Sequence, residues 1–129
     1  MTTVGISMAL HRRLIALAAA DPVREVCGLL LGTNDMVEAV VEARNVAVDP
    51  ARTFEIDPHV QIEAIRAART GAPAVIGCYH SHPGGVAQPS SRDLDMARPG
   101  SLWLIIAGNV VTAWGRGEAA FERVCLDVA

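Results

Sequence analysis

The chain has 129 residues, of which 51% are hydrophobic and 19% are charged, and its formal net charge is −3. This length and composition can fill one hydrophobic core, so we expect a single domain over residues 1–129 and exclude a disordered chain. No cluster of basic residues is present, and no apolar run reaches the length of a membrane span. We therefore expect neither nucleic acid nor a membrane as a partner.

The cysteines indicate a reducing compartment. Cys27, Cys78 and Cys125 are odd in number and have no paired spacing, so we interpret them as reduced thiols. The first residues do not combine a charged start, an apolar core and a cleavage site, so they predict no signal peptide. These features favour a cytoplasmic location. The sequence leaves the oligomeric state open, a homodimer included.

The first half of the chain predicts a helix followed by two strands. Leu10, Leu14 and Leu17 recur at helical spacing, and Asp21–Pro22 ends the predicted helix. The apolar run EVCGLLLG predicts a buried strand, and the alternating run MVEAVVEAR predicts a half-buried strand paired with it as a hairpin. On the second strand we expect one buried face, made by Val37, Ala39, Val41 and Ala43.

The second half predicts two helices and three or four strands. Asp57 is placed as a helix N-cap with Pro58 at the first helical position. The apolar stripe of that helix is expected at Ile62, Ile65 and Ala68. A strand AVIGCYH, a short helix SSRDLDMA and two strands joined at Gly108–Asn109 follow, and AFERVCLDV is a strand or a short helix. This order predicts a sheet with helices packed against it.

Side chains that can bind a metal are concentrated in YHSHPGGVAQPSSRD, which runs from Tyr79 to Asp93. Side chains two residues apart on a strand point to the same face, so His80 and His82 can bind one ion. Ser90 can cap the short helix, which puts the carboxylate of Asp93 in its first turn as a third ligand. Two imidazoles and one carboxylate suit Zn²⁺ and leave a position for water, which is typical of a catalytic site.

Two alternatives apply to the same residues. The S-x-x-D pattern before a helix is also a capping box, which needs no metal. Cys78, His80 and His82 alternate along one strand and form a rival ligand set. Because a strand rises by about 3.3 Å per residue, these three span too far for one tetrahedral ion. We therefore expect Cys78 to be a core thiol.

A zinc hydrolase also needs a carboxylate that moves a proton. Bound zinc lowers the pKa of a water from about 15.7 to about 7. Glu25 opens the apolar run EVCGLLLG, where burial would tune the pKa of its carboxyl. From these residues alone, a solvated strand end is the default interpretation of Glu25. Further candidates for the base are Glu55, Glu63 and Asp95.

Together these residues resemble the JAMM/MPN+ metalloprotease family, in particular its small bacterial members. The motif of that family is a distant glutamate, then H-x-H-P, six residues and S-x-x-D. The chain matches it without a gap at Glu25, His80, Ser81, His82, Pro83, Ser90 and Asp93. The resemblance runs from about Met8 to Trp114.

The resemblance implies a cytidine-deaminase-like α/β fold, a mixed sheet flanked by helices. It implies a Zn²⁺ site of His80, His82 and Asp93, with Glu25 as general base and acid and Ser90 stabilising the oxyanion. Members of the family hydrolyse peptide or isopeptide bonds, typically after the C-terminal glycine of ubiquitin or a ubiquitin-like protein. The small bacterial members are associated with β-grasp sulfur-carrier proteins that end in Gly-Gly. We therefore expect a zinc metallopeptidase that acts on such a protein.

Other functions are compatible with parts of the pattern. A zinc hydrolase of small amides or short peptides would need the same site. A non-catalytic scaffold of the MPN type would bind a partner, but such members usually lose ligands, and here the set is complete. A zinc deaminase would need a C-x-x-C pair, which this sequence lacks.

Overall fold

The structure, a computed structural model, describes residues 2–129 as strands and helices of one chain. In chain order the elements are β1 (Thr3–Ile6), α1 (Met8–Ala20), β2 (Cys27–Gly32), β3 (Met36–Ala43), α2 (Pro58–Arg69), β4 (Ala74–Ser81), α3 (Ser91–Met96), β5 (Leu102–Ala107), β6 (Val110–Arg116) and β7 (Phe121–Val128). Within the part of the chain that the structure describes, no helix is both long enough and apolar enough to traverse a lipid bilayer.

The strands form one mixed sheet in the order β1-β3-β2-β4-β5-β6-β7, and the sheet closes because β1 also pairs with β7. Strand β2 is antiparallel to both of its neighbours, β3 and β4, whereas β4 and β5 are parallel. The predicted hairpin between β5 and β6 is present, and Gly108 in its turn has a φ of 59°, a conformation that favours glycine. The sheet is mixed and carries helices, as the sequence predicts.

The main core lies between one face of the sheet and α1. Leu14 of α1, Leu30 of β2 and Leu104 of β5 are fully buried there, together with Tyr79 of β4. Burial of one such leucine stabilises the fold by about 2 kcal/mol relative to an exposed position. Helix α1 begins where the side chain of Ser7 accepts the backbone N–H of Leu10, and it ends at Asp21, as predicted.

The opposite face of the sheet is covered differently. A smaller cluster there contains Cys27, Phe54, Cys78, Ala97 and Trp103. Helix α2 begins at the predicted Asp57 cap, but it has no buried residue. The predicted apolar stripe is wrong, since Ile62 is 48% and Ile65 47% exposed. A cavity of about 950 Å³ lies between α2, β2, β4 and residues 96–103, so this helix does not insert its apolar side chains into a core.

Two further predictions differ from the structure. The predicted buried face of β3 is only partly correct: Val37 is buried, but a β-bulge shifts the register with β2 between Leu31 and Gly32, and Val40 is buried together with it. Ala39, Val41 and Ala43 are only half-buried. Strand β1 was not predicted, because its four residues include Gly5 and are too few to show the alternation typical of a strand. Strand β1 exists because β3 and β7 pair with it.

Candidate metal centre and catalytic site

The residues singled out in the sequence meet at one end of the sheet. Strand β4 runs antiparallel to β2 with His80 opposite Cys27, so the residues that precede β2 lie beside the end of β4. Helix α3 brings Asp93 to the same place. His80 is fully buried, and Glu25 and Asp93 are only 6% and 3% exposed. Buried ionisable groups at this density need partners or a ligand.

Three atoms that can bind a metal ion form a tight triangle. Nε2 of His80 and Nε2 of His82 are 2.9 Å apart. Oδ2 of Asp93 lies 3.3 Å from Nε2 of His80 and 3.1 Å from Nε2 of His82. In a tetrahedral zinc site with bonds of about 2.0–2.1 Å, neighbouring ligand atoms are about 3.3 Å apart. The triangle therefore has the dimensions of one face of such a site, and the donor set fits Zn²⁺.

Glu25 lies next to this triangle. One of its oxygens and one ring nitrogen of each of His80 and His82 are all within 4.8 Å of one another, a wider set than the one through Asp93. Its Oε1 is buried and has no hydrogen-bond partner within residues 2–129. Burial raises the pKa of Glu25 to about 7, against the opposing effect of His82. A carboxyl with a pKa near neutrality can both take up and release a proton.

The other carboxylates considered as bases lie elsewhere. Glu63 is 67% exposed and pairs with His59 on the surface of α2. Glu55 and Asp95 are also exposed. Among these four candidates, burial beside the histidines distinguishes Glu25.

Burial and mutual contacts shift the pKa values of all three groups of the triangle. Burial lowers the pKa of His80 and keeps its ring neutral, the form that binds a metal. Burial acts in the same direction on His82, but hydrogen bonds to Asp93 and to the carbonyl of Val86 outweigh it, and the pKa is raised. Burial alone would raise the pKa of Asp93, whereas the two histidines hold it well below its usual range.

Ser90 and Asp93 form a capping box at the start of α3. The Asp93 N–H donates to Oγ of Ser90 over 3.1 Å, and the Ser90 N–H donates to Oδ2 of Asp93 over 2.9 Å. The oxygen that completes the box is also the one that touches both histidines. The capping box is therefore present, and its carboxylate oxygen lies where a metal ligand shared with the two histidines would lie. The Ser90 side chain is exposed at a cleft of about 420 Å³ that also borders Glu25 and His82.

Residues outside the motif orient the two histidines. Nδ1 of His82 donates to the carbonyl of Val86 over 2.9 Å, which directs Nε2 towards the triangle. The ring of His80 stacks on Phe54 with centroids 4.4 Å apart and meets the edge of Trp103 at 5.3 Å. A role for Phe54 beside the histidines was not predicted from the sequence. A lone aromatic residue within a polar loop was the available signal for it.

The loop that follows His82 is tied to β6. Oγ1 of Thr112 donates to the carbonyl of Ala87 over 2.7 Å and accepts the indole N–H of Trp114 over 2.8 Å. This chain of bonds fixes the segment that carries the Val86 carbonyl. No local pattern around Thr112 could have indicated it, because the contact joins residues 25 positions apart.

Cys78 does not belong to the triangle. Its thiol lies in the apolar cluster with Cys27 and Trp103. Burial raises the pKa of Cys78 well above its usual value and that of Cys27 to about 12. Both thiols are therefore protonated at neutral pH, as expected of core cysteines.

The fold and the site place the chain in a known class of protein. A JAB1/MPN domain protein from Archaeoglobus fulgidus superposes with a TM-score of 0.62 at 21% identity, covering 98% of this chain and 99% of that one. Protein DSY2949 from Desulfitobacterium hafniense superposes with a TM-score of 0.85 at 25% identity, covering 98% and 93%. The chain has the JAB1/MPN fold.

The family follows from the sequence match. Residues 7–119 match the prokaryotic homologs of the JAB domain, and the chain belongs to this family. A desampylase from Haloferax volcanii is 38% identical over 91 residues, which cover 68% of this chain and 66% of that protein. A probable TtuB-protein conjugate cleaving protease from Thermus thermophilus is 36% identical over 75 residues, covering 58% and 50%. The matched segments thus span from half to just under two thirds of these relatives.

Proposed function

We propose that the chain is a zinc-dependent metallo-isopeptidase. It would hydrolyse a peptide or isopeptide bond after the C-terminal glycine of a ubiquitin-like β-grasp protein of the sulfur-carrier type. The observation that carries this proposal is the triangle of His80, His82 and Asp93 with the buried carboxyl of Glu25 beside it. Two imidazoles and one carboxylate are a ligand set of zinc sites that keep a position for water.

In the proposed mechanism the ligands of Zn²⁺ are Nε2 of His80, Nε2 of His82 and Oδ2 of Asp93. When bound, the ion supplies a water of lowered pKa and polarises the carbonyl of the scissile bond. The carbonyl of Val86 orients His82, and the N–H of Ser90 orients Asp93. The ligands are thus held in place before the ion binds, which limits the cost of ordering them.

In this mechanism Glu25 transfers the proton, and Ser90 stabilises the oxyanion. Glu25 takes the proton of the attacking water on its carboxylate and returns it to the leaving nitrogen. A pKa raised by burial to about 7 suits both transfers. The hydroxyl of Ser90 reaches the cleft and donates a hydrogen bond to the oxygen that becomes negative in the transition state.

Two observations support a protein tail as the substrate. The relatives named desampylase and TtuB-protein conjugate cleaving protease act, by their names, on protein conjugates. The cleft next to Glu25 is small, about 420 Å³, and Ala51 and Gly85 are among its walls. Small residues in the wall let an extended backbone approach Glu25, which suits a tail with glycines on the acyl side of the bond.

The test uses a ubiquitin-like β-grasp protein whose C-terminal Gly-Gly is joined by an amide to a lysine side chain. The zinc-loaded chain is expected to bind about one equivalent of metal and to release the carrier with a free terminal glycine, detected by mass spectrometry. Glu25→Gln should retain zinc and lose about 10²–10⁴-fold in rate. Glu63→Gln is the matched control, because Glu63 lies on the surface of α2.

The alternatives give different results in the same assay. Hydrolysis of small amides with no cleavage of the carrier conjugate would identify the chain as a small-amide hydrolase. Binding of the carrier by a zinc-loaded chain without cleavage would indicate a scaffold. Full activity in Glu25→Gln would contradict the assigned base, and failure of the wild type to bind zinc would reject the metal centre.

A further inference from the structure

The side chain of Asn45, just after β3, is the centre of a hydrogen-bond network outside the motif. Its Nδ2 lies within bonding distance of three backbone carbonyls, those of Glu25 (2.9 Å), Thr53 (3.0 Å) and Pro50 (3.4 Å). Its Oδ1 accepts two backbone N–H groups, those of Ala47 (3.0 Å) and Glu55 (3.1 Å). Every hydrogen-bonding atom of this amide is therefore used, and all of its partners are backbone groups.

These partners belong to two segments, the residue Glu25 and residues 46–55. Residues 46–54, which we name the mouth loop, touch the site at two points. Ala51 and Arg52 line the cleft beside Glu25. Phe54 stacks on the ring of His80 with centroids 4.4 Å apart. The loop is also held by Phe54, which packs edge-on against Trp103, and by the N–H of Val46, which donates to the carbonyl of Glu55 over 2.9 Å. The Asn45 amide adds the bonds that connect this loop to Glu25.

The position of the Glu25 carboxyl depends on its backbone. Oε1 of Glu25 has no hydrogen-bond partner within residues 2–129, so no hydrogen bond to that oxygen fixes the carboxyl. On one side of the backbone, the N–H of Val26 donates to Oγ of Ser81 over 2.8 Å, which ties the segment to β4. On the other side, the N–H of Glu25 donates to the Pro50 carbonyl over 2.7 Å, and its carbonyl accepts from Asn45.

We infer that Asn45 is a positioning residue: its amide locks Glu25 and the mouth loop together and thereby sets where the proton-transferring carboxyl stands relative to the metal ligands. The inference rests on the function proposed above. An amide is suited to this place because one side-chain group provides both two N–H donors and a carbonyl acceptor. An aspartate of the same shape keeps the acceptor but replaces the donors with a negative charge that faces three carbonyls.

The effect is expected in catalysis more than in stability. Apart from Phe54, the residues of the mouth loop are exposed or half-buried, so most backbone groups released from Asn45 can bind water, which limits the cost of unsatisfied groups. A displacement of about 1 Å in a catalytic group can cost about 100-fold in rate. The proposed metal ligands are carried by β4, the residue that follows it and α3, and the Val86 carbonyl orients His82. The mouth loop touches them through Phe54, whose ring Trp103 also holds in place.

The experiment compares Asn45→Asp and Asn45→Ala with the wild type and with Asn109→Asp, a control in the exposed turn between β5 and β6. The measurements are kcat and KM on the Gly-Gly-tailed conjugate at saturating zinc, zinc affinity by competition with a chelator, and hydrogen exchange of the Glu25 amide. For both Asn45 variants we expect kcat to fall by about 10–100-fold. Zinc affinity should stay within about threefold of the wild type. KM should change by a smaller factor than kcat, although Ala51 and Arg52 of the loop line the cleft, and the Glu25 amide should exchange faster.

Three results would overturn the inference. The first is an unchanged kcat in a variant whose Glu25 amide exchanges faster. The second is a loss of activity that follows a loss of zinc affinity. The third is failure of both variants to fold, judged by thermal unfolding, which would make Asn45 a purely structural residue.

Failure of the proposed function is distinguishable from these results, since the wild type itself would then not cleave the conjugate. The link between Asn45 and Glu25 would in that case be judged by exchange and zinc affinity alone. Faster exchange of the Glu25 amide with unchanged zinc affinity would support it, and unchanged exchange would refute it.

Discussion

The two faces of the sheet differ in what they bury. The face against α1 buries apolar side chains such as Leu14, Leu30 and Leu104. The other face buries the ionisable groups of Glu25, His80 and Asp93, and the long helix beside it, α2, has no buried residue. Burial of charged groups costs free energy unless they are paired, so the apolar face must supply the stabilisation that offsets the site. Stability and the proposed chemistry thus depend on opposite sides of one sheet.

The largest effect is expected at Asp93, whose carboxylate both caps α3 and faces the two histidines. Asparagine at this position keeps an oxygen for the Ser90 N–H and preserves the cap of α3, but it removes the charge that faces the histidines. Loss of an outer-shell partner alone costs about 10–100-fold in metal affinity, so Asp93→Asn should weaken zinc binding by at least about 100-fold. Competition with a chromophoric chelator measures this change.

Asp95→Asn provides the matched control, because Asp95 is exposed on the same short helix. It should bind zinc as the wild type does. Equal zinc affinities in the two variants would mean that Asp93 serves only as a helix cap.

On the α1 face the expected effect is on stability alone. Leu14 is fully buried, so Leu14→Ala should lower the free energy of unfolding by about 2–5 kcal/mol. Zinc stoichiometry of the folded variant should stay unchanged, because no ligand contacts α1. Urea unfolding and metal analysis of the same sample provide the test. Loss of zinc from a folded Leu14→Ala protein would show that the two faces are coupled.

The free-energy cost of burying the Glu25 carboxyl can be measured by comparing the stability of the wild type and Glu25→Gln as the pH changes. Its pKa in the folded chain is about 7, against an ordinary value of 4.5, so the folded state favours the protonated carboxyl. The contribution of Glu25 to stability is therefore fully present below pH 4.5 and is lost as the pH rises through 7. Glutamine does not ionise, so metal-free Glu25→Gln does not lose stability in this way as the pH rises. It should unfold at a higher temperature than the metal-free wild type at pH 8.

The difference between these two proteins should shrink as the pH falls towards 4.5, where the wild-type carboxyl is protonated in both states. Thermal unfolding after treatment with a chelator, at intervals from pH 5 to pH 8, follows the change. A constant difference across this range would show that the carboxyl is not held in a desolvated environment.

The smallest effect is expected on α2. Ile65 is 47% exposed, so Ile65→Ala should cost less than about 1 kcal/mol in urea unfolding. The same apolar-to-alanine change thus has different costs on α1 and α2. A cost close to that of Leu14→Ala would indicate that α2 packs down on the sheet and fills the cavity beneath it.

Local features of the fold were predictable because each depends on neighbours a few residues apart. The cap at Asp57 with Pro58, the turn at Gly108–Asn109 and the capping box of Ser90 with Asp93 are of this kind. Placing His80 and His82 on one face needed only the alternation of a strand.

Features that depend on distant partners were missed or wrong. Strand β1 forms through its pairing with β3 and β7, and Val40 is buried by a bulge in the register with β2. The apolar stripe of α2 has helical spacing, but periodicity does not say whether a surface is available to cover it. Phe54, Asn45 and Thr112 act through contacts with residues remote in sequence.

The sequence by itself determined the donor set, its spacing and the local elements that carry it, because alternation in strands and helix capping are short-range effects. Only the tertiary structure decided that Glu25 lies beside the histidines and that its pKa rises to about 7. The same holds for the shared role of the Asp93 oxygen in the cap and the triangle. These properties arise when β2, β4 and α3 come together and exclude water, and burial of this kind depends on the whole chain.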